Sequence, residues 1–182
     1  MPSQDNDFLA LYQENKDRLY NYLMYRLGFD RSQTDDLFMD VVLKAYQHFG
    51  TFNPSKGSFK TWVFALAHNH LVNHWRDQKR HATASLDEME EVGGFVPSVE
   101  PVDTVSSLIE GEKVRHVLSL LSEAERDLVV LRYLEDMDYP EIAHVLQKKE
   151  GALRTGLSRA MDRFESLYRK LYLAKPKQAK SV

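Results

Sequence analysis

An all-α fold, arranged as two small helical domains joined by a flexible acidic linker, is what this sequence predicts, and three observations predict it. Apolar residues recur at helical spacing through nearly every periodic stretch, and no segment shows the sustained alternation of a half-buried strand. Two capping patterns, Ser122 with Glu125 and Asp138 with Glu141, mark helix starts in the second half. Between the halves, "HATASLDEMEEVGGFVPSVEPVDTVSS" mixes prolines, paired glycines and acidic residues, the composition of a linker. The expected division is residues 1–82, an acidic link over 83–110, a second domain over 111–173 and a basic tail over 174–182.

The first half opens with a long helix from about Asp7 to Leu27, with Phe8, Leu11, Leu19, Tyr22, Leu23 and Arg26 near one face and Gly28 closing it. A second helix starts near Ser32. Its residues Phe38, Val41, Val42, Ala45 and Phe49 form the stripe of a core-facing helix. "GTFNPSKGS" is rich in turn formers and reads as a loop. A third helical stretch runs from Ser58 to about Arg80, with Phe59, Trp62, Val63 and Leu66 toward the core.

After the link, "IEGEKVRHVLSLL" resumes helical spacing, and Ser122 opens "RDLVVLRYLE". Asp138 opens "PEIAHVL", with Pro140 in the first turn and Ile142, Ala143 and Leu146 turned inward. A tight turn leads to a last helix with Leu153, Leu157, Ala160, Met161 and Phe164 on its buried side. The last two helices form a helix-turn-helix, held by the two before it.

Composition narrows the function. The chain of 182 residues is 43% hydrophobic, enough for packed cores. It has no cysteine, which excludes a disulfide framework and thiolate metal sites and suits a reducing cytosol. The N-terminus lacks a signal-peptide pattern, and "WVFALAHNHLV" is too short and too polar to span a bilayer, so a cytoplasmic protein with no membrane insertion is expected. The net charge of −3 hides an asymmetry: residues 86–110 hold seven acids and no Lys or Arg, whereas residues 148–180 hold ten bases and three acids. Such polarity suits an end that faces nucleic acid. Lys175, Lys177 and Lys180 read as a solvated tail, while Arg154, Arg159 and Arg163 lie within a helix. His70 and His74 have the spacing of a zinc pair, but Leu71 stands where a zinc hydrolase needs glutamate, so no metal, no cofactor and no catalytic set is expected.

Three blocks in order resemble bacterial RNA polymerase sigma factors of the extracytoplasmic-function (ECF) type. They are "DDLFMDVVLKAYQHFGTF", "FKTWVFALAHNHLVNHWRD" and "LSEAERDLVVLRYLEDMDYPEIAHVLQKKEGALRTGLSRA". The resemblance covers about residues 7–172 and implies a non-enzymatic factor that binds core RNA polymerase and directs it to promoters. It places Asp35, Asp36, Leu37, Met39, Asp40 and Leu43 against the polymerase. For the −10 element it implies Asn53, Lys56, Ser58 and Lys60 around the loop and Asn69, Asn73, Trp75, Arg76 and Arg80 on the helix, set against a separated strand. There amides can bond base edges, and arginines can take phosphates or stack. The loop would hold a base turned out of the duplex. For the −35 duplex it implies Lys149, Arg154, Thr155, Ser158, Arg159 and Arg163. It also implies an anti-sigma partner, and it threads the acidic link toward the polymerase's RNA path.

This sequence departs from the family's common pattern at Met39 (often glutamine), His68 (arginine), Gln147 (glycine), Lys148 (apolar) and Gly156 (arginine). If residue 147 needs a positive φ, glutamine there is strained. Those departures keep open a polymerase-binding protein with impaired promoter reading. A stand-alone helix-turn-helix regulator, acting as a dimer, is the other alternative; it leaves the first-half motifs unexplained.

Overall fold

The computed structural model describes residues 4–84 and 105–173. Most of the expected acidic link and the basic tail therefore lie outside the described residues. Seven α-helices make up the described fold: α1 Gln4–Arg26, α2 Arg31–His48, α3 Phe59–Ala84, α4 Val105–Ser119, α5 Glu123–Val129, α6 Tyr139–Leu146 and α7 Glu150–Tyr168. A short 3-10 turn, Phe49–Thr51, follows α2. The third helix runs on to Ala84, and α4 begins at Val105, so helix enters the stretch expected as linker from both sides.

In the first half α1, α2 and α3 pack against one another. From α1 come Phe8, Leu19, Tyr22 and Leu23, the face expected from the sequence; α2 adds Thr34, Leu37, Val41 and Ala45, and α3 adds Phe59, Val63, Phe64, Ala67 and Leu71. Burying a leucine such as Leu19 or Leu23 contributes about 1.5–3 kcal/mol. Phe8 meets Phe49 and Phe59 edge-on at 5.3 and 6.1 Å, which pins the loop between α2 and α3 to the start of α1. The turn after α1 has two left-handed residues, Gly28 at φ 64° and Phe29 at φ 68°. The second helix starts at Arg31 rather than Ser32 because Asp30 caps it, accepting from Gln33 N at 3.0 Å.

In the second half both capping boxes form, Ser122 with Glu125 and Asp138 with Glu141. The fifth helix runs into a π-helical turn, Val130–Leu134, where Glu135 N–H reaches back five residues to the Val130 carbonyl at 3.0 Å. Such a turn accommodates one extra residue in the helix. Helix α6 ends at Gln147, left-handed at φ 53°, the position where the sequence raised the question of strain. Helix α7 then crosses α5 and α6 and buries Leu153, Leu157 and Ala160.

The halves do not stand apart. Helix α6 lies along α3, and α1 touches α4 and α5. The apolar core is continuous across the junction, from Phe64 and Leu71 in the first half to Val130, Ile142 and Val145 in the second.

Candidate functional site

The candidate residues and the charged groups near them lie on four surfaces: one face of α2, the polar stripe of α3, the outer face of α7 and the junction between the halves. On α2, Asp36, Met39, Asp40 and Leu43 are all exposed, opposite the core stripe. Met39 is 65% and Leu43 55% exposed, unusual for apolar side chains on a helix that has a core face of its own. Tyr46, 50% exposed and one turn beyond Leu43, turns toward α1 instead, its hydroxyl donating to Asp5 at 2.8 Å and its ring edge-on to Phe8 at 5.3 Å. Leu37 corrects the expectation. At 4% exposure it belongs to the core, because it shares the buried stripe with Thr34 and Val41. Asp35 accepts from Tyr20 Oη at 2.6 Å and ties α2 to α1.

Asp40 and Lys44, one turn apart, meet through His70 instead of pairing directly. Lys44 Nζ lies 2.7 Å from His70 Nδ1, and Asp40 Oδ2 lies 3.5 Å from Nε2. Burial and the Lys44 ammonium hold the His70 pKa below its ordinary value, so a neutral ring accepts from the lysine. Among the described residues no cluster of His, Asp and Glu has the arrangement of a metal site.

On α3, Asn69, Asn73, Arg76 and Arg80 are exposed on one stripe. Arg76 Nη1 donates to Asn73 Oδ1 at 3.1 Å, and Gln147 Nε2 reaches Asn69 Oδ1 at 3.4 Å from the second half. In the loop, Asn53 Oδ1 accepts from Ser55 N and Ser55 Oγ, which folds the chain back on itself and leaves Lys56 exposed. Ser58 Oγ caps the helix by accepting from Thr61 N at 3.1 Å. Beside the loop is a hollow of about 490 Å³, its walls Leu11, Phe49, Phe52, Pro54 and Phe59, with Asp7, Gly57 and Ser58 also lining it.

Two expected −10 contacts are engaged elsewhere. Lys60 Nζ donates across the junction to the carbonyl of Glu135, the buried residue just past the π-helical turn, at 2.6 Å. Trp75 is half-buried, with the Arg26 guanidinium 4.6 Å from its ring centre, so it is not the free stacking surface expected of it. Trp62 is likewise half-buried, wedged beside Phe52 and Phe59 at 5.5 Å from each.

On α7, Lys149, Arg154, Thr155, Ser158, Arg159 and Arg163 are exposed, while the buried residues take the other side. Arg163 Nε comes within 3.8 Å of Glu125. Gly156 has a packing reason that its sequence context did not show. A Cβ there would lie 2.9 Å from Leu128 Cδ1, so the missing side chain is on the side facing α5.

The junction holds a buried ionic cluster. Arg26 Nε lies 2.6 Å from Asp127 Oδ1, with the two side chains 1% and 5% exposed. Tyr22 Oη donates to Asp127 at 3.0 Å, and Arg26 Nη1 donates to the Glu123 carbonyl at 2.8 Å. Arg126 caps the end of α4 through the Leu118 and Ser119 carbonyls and crosses to the Tyr25 carbonyl at 3.2 Å. Burial pushes the Asp127 pKa up to about 6, opposed by Arg26 and the Tyr22 hydroxyl. Burial, with Arg26 and Lys148 nearby, pushes that of His68 down to about 4. The imidazole is therefore neutral at pH 7, with Nδ1 3.3 Å from Tyr22 Oη. Arg18 and Lys60 meet the nearly buried Glu135, and Thr61 Oγ1 donates to Glu141 at 2.8 Å.

Two family models match this chain: Sigma-70 region 2 over residues 11–81 and Sigma-70, region 4 over residues 111–164. Together they cover more than half of it. The chain belongs to the sigma-70 family, among its ECF-type members. As a sigma factor it is a transcription initiation factor that directs promoter-specific transcription.

Among curated relatives, the ECF RNA polymerase sigma factor BldN of Streptomyces coelicolor is 27% identical over 154 residues, 85% of this chain but 57% of that protein. SigM of Bacillus subtilis is 26% identical over 159 residues, 87% of this chain and 93% of that protein. Among solved structures, the sigma factor RpoE from Bartonella quintana, crystallised with the anti-sigma factor NepR, shares the fold at a TM-score of 0.76. Its sequence identity is 18%, over 92% of this chain and 99% of that one. No described helix of the sigma factor is long and apolar enough to cross a membrane.

Proposed function

We propose that this sigma factor grips core RNA polymerase through the outward face of α2, with Asp36, Met39, Asp40 and Leu43 at its centre and Asp35 at its edge. The observation that carries the reading is the exposure of Met39 and Leu43 on a helix whose other face already fills the core. Apolar side chains flanked by carboxylates on a rigid helix suit a protein partner with complementary charge.

The −10 strand is read by the exposed stripe of Asn69, Asn73, Arg76 and Arg80, supported by Asn53, Lys56 and Ser58. The aromatic hollow beside the loop has the apolar walls a turned-out base needs, and filling it offsets the few kcal/mol of unstacking. The −35 duplex is read by α7 through Arg154, Thr155, Ser158 and Arg159, with Lys149 and Arg163 on phosphates. Lys60 and Trp75 join the −10 surface only when the halves part, because in the docked arrangement Glu135 and Arg26 occupy them. An anti-sigma partner, as in the Bartonella quintana complex, belongs to the same reading.

The test is binding of the purified protein to bacterial core RNA polymerase, beside an Asp36→Ala/Asp40→Ala double variant. Tight binding that the double variant weakens supports the reading. No detectable binding by folded protein free of any anti-sigma factor overturns it.

A further inference from the structure

Among the described residues, Arg154 is the one arginine of the outer face of α7 whose guanidinium lies over an aromatic ring. Its Cζ sits 4.1 Å from the centre of the Tyr139 ring, fifteen residues earlier and across the helix-turn-helix. The ring is itself well fixed. Tyr139 is the first residue of α6, its backbone set by the Asp138–Glu141 capping box, and it packs against the core. Arg132 also approaches this ring, at 5.7 Å, but its Nη1 is committed to the Met137 carbonyl at 2.7 Å. Among the described residues, the other charge Arg154 meets is Glu150, a long ion pair at 3.7 Å in the preceding turn, and its side chain remains 60% exposed.

We propose that Tyr139 is a positioning residue for promoter recognition, its ring holding the Arg154 guanidinium ready to bond a guanine edge. The inference rests on Arg154 being a base reader, as proposed above. A π face attracts the cation without using any of its N–H donors. A carboxylate clamp would consume the same donors that guanine O6 and N7 require. Free arginine side chains lose much rotamer freedom when they bind, and a ring that restricts them beforehand reduces that loss. Tyr139 thus supplies geometry and Arg154 supplies the reading.

The experiment uses the full chain assembled with bacterial core RNA polymerase. Holoenzymes select DNA from a pool of duplex fragments with a randomised upstream segment, and base preference is read position by position. Arg154→Ala is expected to abolish the preference at one upstream position. Tyr139→Leu and Tyr139→Met, both without a π face, are expected to weaken preference at that same position by about three- to tenfold. Tyr139→Phe keeps the preference, and Tyr139→Leu/Arg154→Ala is no worse than Arg154→Ala alone. Equal loss at every position, or an additive double variant, would mean a merely structural tyrosine and overturns the proposal. If Arg154→Ala loses the preference while Tyr139→Leu and Tyr139→Met select as the wild type does, the positioning role is wrong and the reading of α7 stands. If Arg154→Ala itself selects as the wild type does, the reading of Arg154 fails and the inference fails with it.

Discussion

Replacing Asp127 by alanine removes the centre of the junction between the halves. Arg26 would be left almost fully buried without its counter-charge, keeping only the Glu123 carbonyl at 2.8 Å and the Trp75 ring at 4.6 Å. Breaking a buried pair from one side costs about 3–5 kcal/mol. The retained contacts, and the neutral His68 nitrogen left to accept from Tyr22, place the expected loss near the lower end, about 3 kcal/mol. With a urea slope of about 2 kcal/mol/M, the midpoint should fall by about 1.5 M. Because the chain has no cysteine, Gln47→Cys and Ser166→Cys can carry a dye pair that reports the distance between halves without interference. That distance should lengthen in Asp127→Ala before either half unfolds. Adding Arg26→Met should restore part of the lost stability, since no buried charge is then orphaned. A midpoint within about 0.3 M of wild type, at unchanged dye separation, would refute the reasoning that this pair holds the junction.

Three further outcomes follow from the same structure. The Asp127 pKa, raised from 3.8 to about 6, favours the folded state below 3.8, a gain lost as pH rises through about 6; the His68 pKa, lowered from 6.5 to about 4, favours it above 6.5, a gain lost as pH falls through about 4. The two oppose each other, so His68→Gln should gain about 2–3 kcal/mol relative to wild type between pH 7 and pH 4.5, and a constant difference in urea midpoints would contradict this. Gln147→Gly removes a left-handed glutamine and should raise the melting temperature by about 2–4 °C; a drop would show that the Asn69 contact outweighs the strain. Leu43→Asp should weaken core polymerase binding at least about tenfold while leaving the melting temperature unchanged, and unaltered affinity would remove the α2 face from the contact.

What the sequence made legible was local. The two capping boxes in the second half were read correctly because their partners sit three residues apart, and both form. The α1 face from Phe8 to Arg26 followed from periodicity alone, down to the arginine, which is buried. Asp30 with Gln33 carries the same kind of local cap signal, and it sets the start of α2 at Arg31. Of the candidate sites, exposure was predicted well for α2 and α7, where polar residues oppose an apolar stripe. Leu37 was misplaced because its neighbours in the motif are carboxylates, while its own register belongs to the core. The junction was illegible. Arg26 and Asp127 are 101 positions apart, and no local spacing announces that a lone arginine at a helix end will meet one particular aspartate. The same distance problem hid Lys60 on Glu135 and Arg154 on Tyr139.

The π-helical turn at Val130–Leu134 has a consequence for insertions and deletions. A helix that lost one residue there would regain ordinary α-helical hydrogen bonds while the residues on either side kept their faces. Glu135 would stay within reach of Arg18 and Lys60, and the helix-turn-helix would keep its aim. At this point the chain carries slack: one residue fewer is absorbed as a change of turn, whereas the same deletion inside α3 or α7 would rotate everything beyond it by about 100° about the helix axis.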